Sequence, residues 1–187
     1  MEIIESAIKV MHLKGYNATG VQELVDAAGI PKGSFYNYFK SKEDFAIDAL
    51  KYFASRFQKA FEQNLKNKSI SPMKRLEKLF NQLIGWFTNE FKLKSGCFAG
   101  NLCQEMGDVN KPIGEAVEDL FIGTSGLLKD CLLEAQQAGE IDRSIDAGKI
   151  AEAIWNSWEG ALMRMKTNKS AKPLEDFKYM VFKILLK

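Results

Sequence analysis

Eight consecutive residues, Lys32-Gly33-Ser34-Phe35-Tyr36-Asn37-Tyr38-Phe39, carry chemistry that the rest of the chain must position. A short helix built only for burial would be rich in Leu and Ala. This one offers a glycine, hydroxyls, an amide and a cation. Ser34, Tyr36, Asn37 and Tyr38 can hydrogen-bond phosphate oxygens and base edges, while Lys32 and Lys42 can neutralise phosphate charge. Gly33 lets a partner's backbone come close. Phe35 and Phe39, four residues apart, fall on one helical face and are expected in the core. The plainer alternative is a helical hairpin with incidental aromatics.

No stretch of the sequence suits catalysis. There is one histidine, His12, with no glycine-rich phosphate loop and no acid pair in a plausible site. Cys97 and Cys103 are six residues apart, which is not a metal-ligand spacing, so no metal, cofactor or enzymatic activity is expected. An odd set of three cysteines argues against a disulfide framework and for a reducing cytoplasm. The N-terminal MEIIESAIKV carries acids where a signal peptide carries bases, and no apolar run approaches membrane-spanning length. The net charge of +2 does not by itself indicate nucleic acid. From Ala27 to Lys42, however, there are three lysines and no acid. Any contact with DNA is therefore confined to this stretch.

The elements that position it are helical, since apolar residues recur at spacings of three and four throughout. A first helix is expected from about Ile3 to Lys14, stopped by Gly15. Thr19 with Gln22 forms a candidate capping box for the next, whose stripe is Val21, Leu24, Val25 and Ala28. Gly29 ends that helix, Ile30 plugs the turn and Pro31 opens a helix to about Phe39. Ser41 with Asp44 caps a long fourth helix. Beyond the polar break KNKSISP (66–72), helical patterns cover 73–91, 97–106, 113–138, 146–166 and 174–186. The fold class is all-α with about nine helices, divided into a small N-terminal domain over 1–48 and a larger helical domain over 49–187.

Two short helices joined by a glycine-containing turn match a helix-turn-helix, whose second helix enters the major groove. The residues Thr19, Ala27-Ala28-Gly29, Ile30-Pro31-Lys32-Gly33-Ser34-Phe35-Tyr36-Asn37-Tyr38-Phe39 and Ser41-Lys42-Glu43 closely resemble the DNA-binding signature of the tetracycline-repressor (TetR/AcrR) family. The likeness is strong over about the first 50 residues. It implies phosphate contacts at Thr19, Lys32, Ser34, Tyr36 and Lys42, and contacts to base edges or nearby phosphates at Pro31, Gly33, Asn37 and Tyr38. Pro31 stands where many members carry Ser or Thr. No arginine lies in the reading helix, so the bidentate arginine–guanine contact is unavailable. Specificity is then expected from Lys32, Asn37, van der Waals contacts and DNA shape.

The resemblance also implies that 1–48 is a DNA-binding domain and 49–187 a ligand-sensing and dimerisation domain, whose last two long helices pair with those of a second subunit. Ile154, Trp158, Ala161, Leu162, Met165, Phe177, Val181 and Ile184 would fill that role; the alternative is that both stripes are intrachain core. Effector candidates are Trp86, Phe87, Phe98, Asn101, Leu102, Met106, Phe121, Ser125 and Trp155. The run Gly123-Thr124-Ser125-Gly126 would weaken its helix and leave room beside it. Cys97 lies near a predicted helix start, where the helix dipole lowers a thiol's pKa. Some family members sense electrophiles through such a thiol. The expected function is a cytoplasmic homodimeric repressor that binds a near-palindromic operator. It would be released by a small apolar or electrophilic effector, or by thiol modification. The alternative is a helical interaction module that never meets DNA.

Overall fold

The computed structural model describes residues 2–187, and every regular element among them is helical. Nine α-helices follow in order: α1 (Glu2–Lys14), α2 (Val21–Ala28), α3 (Lys32–Tyr38), α4 (Lys42–Leu65), α5 (Pro72–Gly85), α6 (Phe98–Met106), α7 (Lys111–Gln137), α8 (Ala147–Asn168) and α9 (Lys172–Tyr179). π-Helical turns at Trp86–Glu90 and Met180–Leu185 continue α5 and α9.

Local chemistry sets most of the helix ends. Gly29 closes α2 in the left-handed conformation at φ 66°, which costs a glycine nothing sterically. At α4 the Ser41 hydroxyl accepts from the Asp44 N–H at 3.1 Å, and the Asp44 carboxylate accepts from the Lys40 N–H at 3.2 Å. Asp146 caps α8 by accepting from the Lys149 and Gly148 N–H groups, and these bonds hold its carboxyl below the ordinary range. The start of α2 departs from expectation. Gly20 is the N-cap residue, and Glu23 rather than Gln22 accepts its N–H, at 3.0 Å. Thr19 turns inward, and its hydroxyl donates to the Gly15 carbonyl at 2.6 Å.

The helices form two compact units. One runs up to Arg56 and includes Cys97–Leu120; the other comprises Phe57–Gly96 and Phe121–Lys187. Helices α4 and α7 each contribute to both, so the expected division after residue 48 falls inside α4. The reason is packing. Phe98 of α6 is 1% exposed, its ring 5.5 Å from that of His12 and 5.7 Å from that of Phe53. It completes the core built by Met11, Leu24, Val25, Phe35, Phe45 and Leu50. Each such side chain contributes about 1.5–3 kcal/mol on burial.

The second unit centres on Trp158, whose ring lies 5.3–5.9 Å from those of Phe80, Phe87 and Phe177. Arg75, buried on α5, donates to the Leu65 carbonyl at the end of α4 and pairs with Glu134 of α7. One orphan carbonyl at that helix end thus gains a charged donor. Arg75, and then Lys68, hold the Glu134 carboxyl below the ordinary range. No helix among the described residues is long and apolar enough to cross a membrane.

Candidate nucleic-acid interface

Helix α3 has two contrasting faces. Phe35 and Phe39 point into the core, with ring centroids 5.2 Å apart and Phe39 a further 5.2 Å from Phe45. On the outer face Tyr36 is 55% exposed and Tyr38 64%. Pro31, Lys32, Gly33 and Asn37 are also exposed, and Ser34 is half-buried. Large aromatic rings left in water carry a cost that the chain's own packing does not explain. Gly33 points the same way. A Cβ there would meet nothing within 4 Å, and its φ is not positive. Neither packing nor backbone geometry within the chain demands glycine at this position.

Thr19 and Lys42 sit differently from expectation. Thr19 is 1% exposed and its hydroxyl donates to the Gly15 carbonyl, so its side chain turns into the loop between α1 and α2. The Lys42 ammonium donates to the carbonyls of Tyr16 at 3.0 Å and Thr19 at 3.1 Å, and lies 4.1 Å from the Tyr16 ring centroid. Two of its three N–H donors therefore serve the same loop. Burial, and then the Glu43 carboxylate, push the Tyr16 phenol above its ordinary pKa, so it stays neutral. The outward polar set that remains is Pro31, Lys32, Gly33, Tyr36, Asn37 and Tyr38, with Ser34 at its edge. It is uncharged apart from one lysine and presents hydroxyls, an amide and open backbone. That combination suits a groove lined with phosphates and base edges.

Residues 3–49 match the model for bacterial regulatory proteins, tetR family, and residues 72–181 match that for the tetracyclin repressor-like C-terminal domain. The chain belongs to the TetR family. Among its relatives, the HTH-type transcriptional repressor DhaR of Mycobacterium sp. (strain GP1) is 32% identical over 184 residues, covering 98% of this chain and 90% of that protein. The transcriptional regulator AcuR of Cereibacter sphaeroides is 33% identical over 175 residues, covering 94% of this chain and 80% of that one. The crystal structure of regulatory protein TetR from Rhodobacter sphaeroides aligns with a TM-score of 0.90 at 31% identity, covering 96% of this chain and 94% of that one. As a TetR-family member the protein is a DNA-binding transcriptional regulator and not an enzyme.

The remaining candidates are divided between the two units. Cys97, Phe98, Asn101, Leu102 and Met106 belong to the unit that holds α3, while Trp86, Phe87, Phe121, Ser125 and Trp155 belong to the other. Phe98 and Leu102 are each 1% exposed and pack in the core of their unit. In the second unit Trp155 lies between Phe61 and Phe121, at 6.0 and 6.2 Å, and Trp86 packs on Phe57 at 5.4 Å. The Trp155 indole N–H is buried with no acceptor in hydrogen-bonding reach among the described residues. Ser125 is half-buried, and α7 continues unbroken through Gly123 and Gly126, where added Cβ atoms would meet nothing.

The dimer stripe needs correction. Ile154, Trp158, Ala161, Leu162, Met165, Phe177 and Val181 are buried inside the single chain, none more than 8% exposed. Only Ile184, at 65%, faces outward. Periodicity identified a buried face correctly, but the covering elements are α5 and the rest of the same chain. Of the thiols, Cys97 is buried and Cys103 exposed, and burial pushes the Cys131 thiol up to about 11. Sequence reasoning missed Glu105, whose carboxylate accepts from the backbone of residues 16 and 17. Nothing local in the sequence marks it.

Proposed function

We propose that this protein is a homodimeric repressor that places two α3 helices in successive major grooves of a near-palindromic operator and is released by a small molecule. The observation that carries the reading is the outward face of α3, where Tyr36 and Tyr38 are more than half exposed beside an unforced glycine. Helix α3 lacks arginine and carries one lysine, so a single copy has little electrostatic hold on DNA. Two copies held at fixed spacing raise the affinity through effective concentration.

Regulators of this family act as dimers, and exposed apolar residues on α8 and α9 support a subunit interface there. Met163, Tyr179 and Ile184 are exposed there. A groove of about 460 Å³, lined in part by Gly160, Arg164, Asp176 and Met180, runs between the two helices. A second copy of the same helices is the occupant we assign to it. DhaR, a relative of this chain, is named a repressor, which supports repression over activation. For the effector, the buried Trp155 N–H between two phenylalanine rings favours a small apolar body bearing one hydrogen-bond acceptor. Its binding would shift the dimer towards a spacing that DNA rejects.

Sedimentation of the purified protein with and without DNA from upstream of its own gene tests the proposal. The expected result is a dimer at micromolar concentration and two chains per operator. A monomer that binds DNA one chain at a time contradicts it.

A further inference from the structure

The loop 15–19, between α1 and α2, is gripped from two sides by opposite charges that come from distant parts of the chain. Glu105 of α6 accepts from the Tyr16 N–H at 3.1 Å and the Asn17 N–H at 2.9 Å. Lys42, at the start of α4, donates to the Tyr16 and Thr19 carbonyls. Thr19 closes the loop onto Gly15. The carboxylate is tightly seated: Gly15 has φ +92°, and a Cβ there would collide with the Glu105 Oε1. Just beyond α6, the Asn110 amide donates to the carboxylate of Glu43 in the first turn of α4. Helix α2 starts two residues after this loop, and α3 follows α2 across the Gly29 turn.

We infer that Glu105 is a positioning residue for operator reading: its carboxylate, opposed to Lys42, fixes the 15–19 loop and through it the α2–α3 pair. The inference rests on α3 being the reading helix. It places a determinant of DNA affinity on α6, 88 residues from Asn17 in sequence and outside the helix-turn-helix. A carboxylate that accepts two backbone N–H groups is a strong local anchor.

The sign of the effect separates this role from simple electrostatics. Removing a negative charge from a DNA-binding unit should by itself tighten its hold on a polyanion. If Glu105 positions the loop, its removal should weaken that hold. Operator affinity of the full-length protein is measured by fluorescence anisotropy at one salt concentration for wild type, Glu105→Gln, Glu105→Ala, Gly15→Ala and the Gly15→Ala/Glu105→Ala pair. Hydrogen exchange at the Tyr16 and Asn17 amides is followed in the DNA-free protein.

Glu105→Ala is expected to lower affinity about tenfold, the loss of charge-assisted hydrogen bonds, and to speed exchange at both amides with little change in the thermal midpoint. Glu105→Gln, which keeps one accepting oxygen, should fall between. Gly15→Ala should weaken binding less in the Glu105→Ala background than in wild type, because the clash has lost its partner. Unchanged or tighter binding in Glu105→Ala, or strictly additive effects in the pair, would overturn the inference. If wild type itself binds no upstream DNA, the operator reading fails, and amide exchange alone decides whether Glu105 holds the loop.

Discussion

Helices α3 and α8 are both rich in aromatic residues, and only α3 leaves such residues in solvent. On α3, Tyr36 and Tyr38 stand in solvent while Phe35 and Phe39 fill the core. On α8, Trp155 and Trp158 are both buried, and Trp158 sits among three phenylalanine rings of its own chain. An amphipathic stripe reports only that a face is covered. It does not report what covers it. Exposed aromatics beside a glycine that nothing in the chain requires do report a partner, because intrachain packing leaves them unexplained.

The strongest test of this contrast is the tryptophan. Trp158→Ala is expected to destabilise the protein by about 4 kcal/mol through loss of buried area and the cavity left behind. Denaturant unfolding reads this directly, and a change near zero would return Trp158 to a subunit interface that forms late. Next in size is Tyr38→Ala, expected to cost the operator complex roughly tenfold in affinity, about 1.4 kcal/mol, with folding stability unaltered. Gel shift at fixed salt gives the first quantity and thermal unfolding the second. Wild-type affinity would remove Tyr38 from the reading face.

A smaller effect is expected at the Arg75–Glu134 pair, where function is not at stake. Contact with Arg75 holds the Glu134 carboxyl below its ordinary range. Its contribution is therefore present above the unfolded value near pH 4.3 and is lost as pH falls through the lower folded value. Glu134→Gln should be less stable than wild type at neutral pH, by no more than about 1 kcal/mol for a partly exposed carboxylate. The gap should close in acid. A constant gap from pH 7 to 3 would show that the charge is irrelevant.

Gly33→Ala has the smallest effect on stability and the most informative pair of signs. Replacing an unforced helical glycine should stabilise the fold by about 0.5 kcal/mol. The same methyl group should weaken operator binding, because it stands on the face offered to DNA. A variant both stabler and tighter-binding would mean that Gly33 is not near the phosphate backbone.

These contrasts also mark what the sequence can convey. The reading helix is legible because its signal is contiguous: the turn glycine, the proline, the lysine and the tyrosines all lie between Gly29 and Tyr38. The caps at Ser41 and Asp146 are equally local, and the one expected at Ser41 forms. Thr19 misleads because a threonine before a helix reads as an N-cap, whereas here a carbonyl four residues back captures its hydroxyl. The grouping of α6 with the N-terminal helices is invisible in periodicity, which cannot tell that Phe98 packs against His12 and Phe53. Glu105 is one acid among many until the fold brings it to the loop.

The claim that governs the rest is that the outward face of α3 reads DNA in symmetric pairs. Selection of binding sites from random duplex DNA by the purified protein tests it most directly. The account predicts enrichment of an inverted repeat with half-sites about one helical turn apart, lost when Tyr36 and Tyr38 are both replaced by alanine. Enrichment of nothing, or of the same sequence by the double variant, would contradict it.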